Sequence, residues 1–173
     1  MIKKTTRRVL TGIGMAALVG AFSASEASAQ TTDSFQVLAS VAENCVINTP
    51  NNLNFGAYDP GGANLAADLD ASADIEVRCT KGTDNVEILL DLGQNTAAGQ
   101  RFMAGVSLAE SLQYELYLDG GRTTVWGDTA GNGYAYTAVN SGWTNVPVYG
   151  RVPQAQDVSV DSYEDTVQAT VNF

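Results

Sequence analysis

Clustered carboxylates are the first chemistry the sequence offers: Asp68, Asp70 and Asp74 lie close together, and Glu164 adjoins Asp165. Two acids flanking a glycosidic bond can act as general acid and as nucleophile or base. The chain, however, holds 19 Asp and Glu against 9 Lys and Arg, for a formal charge of −10. In so acidic a protein, solvated loop and strand-edge acids account for these clusters more simply. Absence of histidine removes Ser-His-Asp and Cys-His catalysis. Asp128-Thr129-Ala130-Gly131-Asn132-Gly133 has a calcium-loop flavour, but it lacks a ligand at its third position and a bidentate Glu at the right distance. Tyr134, Tyr136 and Trp143 among glycines could form an aromatic sugar platform, though packing roles suit them better; Trp126 is expected in the core. The expectation is therefore a protein with no catalytic, cofactor-binding or metal-ligating residues, and no cofactor.

Cys45 and Cys79 are the only cysteines. Their chemistry depends on compartment, and the first residues address that. Lys3, Lys4, Arg7 and Arg8 form a positive n-region, residues 13–22 an apolar run, and Ala27-Ser28-Ala29 a small-residue cleavage site. Residues 1–29 thus read as a signal peptide. The apolar run is too short to span about 30 Å of hydrocarbon and no second one follows, so no membrane insertion is expected. Arg7-Arg8 sits in a poor twin-arginine context, and two cysteines awaiting oxidation fit general secretion of an unfolded chain. In an oxidising compartment Cys45 and Cys79 make one disulfide, closing a loop worth about 3–4 kcal/mol on the chain-entropy model. Cleavage removes four basic residues, leaving a still more acidic chain that repels phosphate backbones and anionic lipid. Nucleic acid is not an expected partner.

No stretch after the signal peptide carries a helical period. Alternation of period two recurs instead: Phe35, Val37, Ala39, Val41; Ile75, Val77, Cys79; Val86, Ile88, Leu90; Leu112, Tyr114, Leu116, Leu118; Val146, Val148, Val152; and Val167, Ala169, Val171, Phe173. Asp59-Pro60-Gly61-Gly62, Asp91-Leu92-Gly93, Asp119-Gly120-Gly121 and Gly131-Asn132-Gly133 supply the positive-φ positions that turns require. Seven or so such strands suggest an all-β, immunoglobulin-like β-sandwich; residues 127–142 are expected as a long connection or weak hairpin. The last strand runs to Phe173, apolar on one face, leaving no residues for a strand beside it. The segment from Phe35 to Val41 precedes the first cysteine and has neither charge nor proline, the usual disguises of a free edge. Its pattern fits a strand paired within its own domain as well as one donated elsewhere.

From Phe35 onward a set of pieces runs in order over nearly the whole exported chain. They are Cys45 with Leu53-Asn54-Phe55-Gly56-Ala57-Tyr58, then Ile75-Glu76-Val77-Arg78-Cys79-Thr80-Lys81-Gly82. Arg101-Phe102-Met103, Tyr114-Glu115-Leu116-Tyr117-Leu118-Asp119 and Val125-Trp126-Gly127-Asp128 follow. Val146-Pro147-Val148-Tyr149-Gly150-Arg151-Val152-Pro153, Gln156, Tyr163-Glu164-Asp165-Thr166-Val167 and Thr170-Val171-Asn172-Phe173 complete the set. Through these pieces the chain resembles the spore coat protein U domain family, which includes Csu-type pilin subunits of archaic chaperone–usher fimbriae.

The resemblance implies a sandwich lacking its last strand and completed by a donor strand. Residues 30–42 would be the donor, with Phe35, Val37, Ala39 and Val41 as its inserting side chains, and residues 43–173 the pilin domain. Val167, Ala169, Val171 and Phe173 would wall the acceptor groove and meet a chaperone. Implied partners are a periplasmic chaperone, an outer-membrane usher and like subunits in a fibre. Implied localisation is the periplasm and then the cell surface as a fimbria, or secretion. The implied function is a structural subunit polymerising by donor-strand exchange, in support of adhesion and biofilm. A secreted, non-polymerising coat or matrix protein of the same fold is the alternative, and a carbohydrate-binding module a more distant one.

Overall fold

The computed structural model describes residues 29–173; the signal-peptide reading falls, but for Ala29, outside the described residues. Ser40–Phe173 forms one compact unit that holds every strand of the described residues. Residues 29–39, taken by themselves, have no regular secondary structure. The strands are β1 (Cys45–Asn48), β2 (Leu69–Cys79), β3 (Val86–Leu90), β4 (Thr96–Ala97), β5 (Gln100–Gly105), β6 (Ser111–Tyr117), β7 (Tyr134–Tyr136), β8 (Thr144–Val152), β9 (Tyr163–Glu164) and β10 (Ala169–Asn172). One 3-10 turn, Ala63–Leu65, precedes β2.

Two antiparallel sheets result. The larger has the order β1-β2-β8-β6-β5-β4, with β9 pairing β5; the smaller has the order β10-β3-β7. Inward residues alternate as the sequence pattern requires: Val77 and Cys79 of β2, Val86 and Ile88 of β3, Leu112, Tyr114 and Leu116 of β6, and Val146, Val148 and Val152 of β8 are all buried in one core. Such alternation puts apolar side chains inside and solvates the other face. Trp126 is fully buried, and its Nε1 donates to the carbonyl of Ile88 at 2.8 Å, which satisfies the indole N–H that burial would otherwise orphan.

Several details differ from the sequence expectation, three of them as follows. Residues 127–142 are not wholly irregular, because Tyr134–Tyr136 forms β7 and pairs β3. At Asp119-Gly120-Gly121 the left-handed residue is Arg122 (φ 56°), not a glycine, and Asp119 instead accepts the backbone N–H groups of Thr123 and Thr124. Residues 100–105 form a six-residue strand, β5, that the alternation does not announce.

Candidate functional site

The disulfide joins Cys45 to Cys79, and the two residues are directly opposite in the antiparallel β1–β2 pair. It ties the edge strand of the larger sheet to the core. On the other sheet β10 is also an edge, and it lies beside β1. The Asp91 N–H donates to the Gln168 carbonyl at 3.0 Å. Continuing that register, Thr170 faces Leu89 and Asn172 faces Glu87. In an antiparallel ladder hydrogen-bonded pairs alternate with non-bonded ones. The even-numbered residues therefore turn their backbone groups to β3, and Val167, Ala169 and Val171 turn theirs to the side away from it. Among the described residues no strand pairs that side.

The side chains of Val167, Ala169 and Val171 are half-buried against the core. Phe173, next in the alternation, is 55% exposed. The structure thus brings three of the four expected groove residues together as a wall and leaves the fourth outside it. Alternation extends further back than the sequence reading carried it. From Asp161 to Val171 every odd residue is half-buried and every even one exposed, so Tyr163 and Asp165 belong to the same face.

Opposite this wall, residues 49–60 run without strand pairing, with Leu53 and Phe55 half-buried against the core. Phe55 and Leu53 can approach because Gly150 of β8 has no side chain: a Cβ there would stand 2.7 Å from Phe55 Cζ and 3.0 Å from Leu53 Cδ1. Tyr58 anchors the segment's end. Its hydroxyl donates to the Pro153 carbonyl at 2.9 Å and accepts the Gln156 N–H at 3.0 Å. Gln156 in turn makes a two-way amide pairing with the backbone of Gln113 in β6.

Between the two segments the core is open. A cleft lobe of about 560 Å³ reaches Leu90, Tyr114, Leu116 and Val167, and a second of about 660 Å³ reaches Leu69, Leu112, Val152 and Val158. Leu53, Phe55, Met103 and Tyr163 line both lobes. One deleted core side chain leaves a cavity on the order of 150 Å³, so each lobe lacks the equivalent of several. Leu53, Phe55, Met103, Tyr114 and Tyr163 are the site residues that sequence reading missed as cleft lining. Leu53 and Phe55 alternate across Asn54, and that was the available signal.

Polar groups hold the cleft's shape. Asp165 accepts hydrogen bonds from the Gln94 and Asn95 N–H groups at 3.0 and 3.1 Å and from the Tyr114 hydroxyl at 2.7 Å. Burial, reinforced by that bond to Asp165, pushes the Tyr114 phenol well above its usual pKa, so it remains a donor. Of the carboxylates that suggested glycosidase chemistry, Asp68, Asp70 and Asp165 are committed to structural contacts. Asp70 pairs with Arg151 at 2.8 Å and Arg122 at 3.2 Å; the Arg151 hydrogen bond, with Arg122 adding its charge, holds Asp70 below the usual carboxylate range. Asp165 is committed to the contacts above. Among the described residues no group of acids, cysteines or histidines could hold a metal ion, and the loop amides of Gly131 and Gly133 both donate to Glu87.

Phe35, Val37 and Val41, the expected donor side chains, are each more than four-fifths exposed, and Ala39 is exposed as well. Among the described residues none of them belongs to a strand.

Comparison with known proteins adds three findings. The model of the Spore Coat Protein U domain family matches residues 31–170. Protein U of Myxococcus xanthus is 35% identical over 178 residues, covering 96% of this chain and 98% of that protein. Among solved structures, a chain of the chaperone–tip adhesion subunit pre-assembly complex from the archaic chaperone–usher Csu pili of Acinetobacter baumannii superposes with a TM-score of 0.53. That match is 21% identical and covers 77% of this chain; the chain spans only 40% of the other's length. The fold is pilin-like, and at that identity the likeness speaks to fold alone.

Proposed function

The chain belongs to the Spore Coat Protein U domain family, and from that premise we propose that it is a structural subunit of a chaperone–usher-assembled surface fimbria, polymerising by donor-strand exchange. The observation that carries this reading is the cleft between residues 49–60 and 161–171, where an apolar core lies open beside an unpaired backbone edge. Isolated sandwiches close their cores. An extended segment laid along Val167, Ala169 and Val171 would hydrogen-bond their free backbone groups and fill the lobes with alternate side chains, which is strand addition.

Residues 30–42 of a neighbouring copy supply such a segment. Phe35, Val37, Ala39 and Val41 are apolar at period two and exposed, and inserting them removes four apolar side chains from water. At about 1.5–3 kcal/mol for each large one, and less for Ala39, docking is strong enough to make a persistent polymer. Before assembly the cleft requires a temporary occupant, the role we assign to a periplasmic chaperone, with an outer-membrane usher handing subunits to the surface. Adhesion and biofilm support are the expected uses of the fibre.

Deletion of residues 30–41 tests the proposal. The deleted protein should still be captured by the chaperone yet form no polymer, whereas the intact one assembles. A stable wild-type monomer whose size is untouched by the deletion would sink it. The second reading, a secreted coat or matrix protein of the same fold that does not polymerise, draws on the 35% identity to Protein U. Size-exclusion of refolded protein separates the two.

A further inference from the structure

Positive charge is scarce on this molecule and its placement is uneven. Of the five basic side chains among the described residues, Arg101 pairs Glu115, Arg122 pairs Asp70, and Arg151 pairs Asp68 and Asp70. Arg78 and Lys81 enter no salt bridge among the described residues, and both are exposed. They lie together at the end of β2. The Arg78 guanidinium sits 4.7 Å from the ring centroid of Trp143, which is 45% exposed, and the Lys81 N–H donates to Ser141 Oγ at 3.0 Å. Register places Arg78 opposite Val46 of β1. The same turn holds the root of the amino-terminal segment, because Thr80 Oγ1 donates to the Ala42 carbonyl and Thr80 N–H to that of Asn44. A cationic, aromatic patch therefore stands where the proposed donor leaves its own domain.

The far end of the cleft carries the opposite charge. Glu110 and Asp161 stand by Tyr163, whose phenol is pushed up first by burial and then by their charges, and Glu164, next in the chain, lines the same cleft. Backbone N–H groups of Ser107 and Leu108 hold Asp161 below the usual carboxylate range, and Ser159 does the same for Glu110, so this lip keeps its negative charge. Glu164 is exposed, and its carboxylate makes no ion pair among the described residues. Every strand pair among the described residues is antiparallel. A donor continuing that arrangement runs opposite to β10, so its carboxyl-terminal end emerges beside Tyr163 and Glu164.

We propose that Arg78, Lys81 and Trp143 of one subunit dock on the Glu110–Asp161–Glu164 lip of the copy that receives its donor strand, a second contact that steers assembly between otherwise repelling subunits. The occupant is a second copy of this chain, selected by charge complementarity. The inference rests on the donor-strand reading above. Opposite patches meeting across a strongly acidic background raise the association rate and make it fall with salt.

The test compares the exported protein with its Arg78→Glu/Lys81→Glu and Glu164→Arg variants, refolded and followed by light scattering, together with binding of a synthetic peptide of residues 30–42. The double variant should assemble at least tenfold more slowly at low salt and lose most of the wild type's salt dependence, while binding the peptide as wild type does. Mixing it with Glu164→Arg protein should recover much of the rate. Unchanged assembly with intact peptide binding would overturn the proposal. If retention on an alginate column fell at the same time, the patch would pass to an acidic polysaccharide instead. Failure of wild-type protein to bind the peptide would overturn the donor-strand reading, and this one with it.

Discussion

Arg101 has no exposed surface, yet it carries a charge into the core of a protein with few cations to spare. Its guanidinium donates to the carbonyls of Leu90, Asp91 and Trp126 at 2.7–2.9 Å and pairs with Glu115. It thus links β5 and β6 of one sheet to the end of β3 in the other. Arg101→Leu fills similar space but strands those acceptors and a half-buried carboxylate. The expected loss is about 3–5 kcal/mol, the range for breaking a buried ionic network, read as a lowered urea midpoint with unchanged slope. Asp70 gives a pH-dependent counterpart. Its folded pKa lies below the unfolded value of about 3.9, so its contribution is complete above that value and disappears as pH falls through the folded one. Asp70→Asn should cost roughly 0.2–1 kcal/mol at neutral pH, as for exposed pairs, and flatten the stability profile below about pH 4. An unchanged acid limb would show that the pair contributes nothing.

Elements built on plain alternation were readable from sequence alone, and those organised by a polar interior were not. Val86–Leu90 agrees residue for residue with the sequence pattern, β6, β8 and β10 agree within a few residues at their ends, and the pattern caught only the carboxyl-terminal part of β2. Strand β5 escaped because its inward position is Arg101: a charged residue on the core face inverts the pattern that alternation depends on. β7 escaped because three residues among glycines are too short to show a period. The cleft was half legible. The Val167–Val171 wall follows from alternation, but its opposite wall follows from Gly150, whose missing side chain admits Phe55 from a segment distant in sequence. Gly150→Val would overfill that contact at a cost of about 1–3 kcal/mol and push Phe55 toward the cleft. Phe55→Leu in the same chain should recover part of the loss in thermal melts, a coupling that independent sites would not give.

Within Ser40–Phe173 the core is closed where two sheets, the disulfide and Trp126 pack together, and open along the cleft. The proposed assembly makes occupancy of the open part a matter of mass action. A peptide of residues 30–42 at a hundred times its dissociation constant should raise stability by about 2.7 kcal/mol, a rise of several degrees in melting temperature for a domain of this size. Absence of any shift at saturating peptide would count against the cleft as a strand site.

The segment from Tyr163 to Asn172 changes allegiance along its length, pairing β5 of one sheet through β9 and β3 of the other through β10. An inserted strand lying beside it would follow the same path and end up gripped by both layers. A fibre strung on such strands would take tension along the length of the cleft, loading its backbone bonds in shear rather than peeling them singly. Under pull, a joint of that kind gives way all at once or not at all, and its lifetime under load is set by the rate of forced opening, not by how tightly the strand binds at rest.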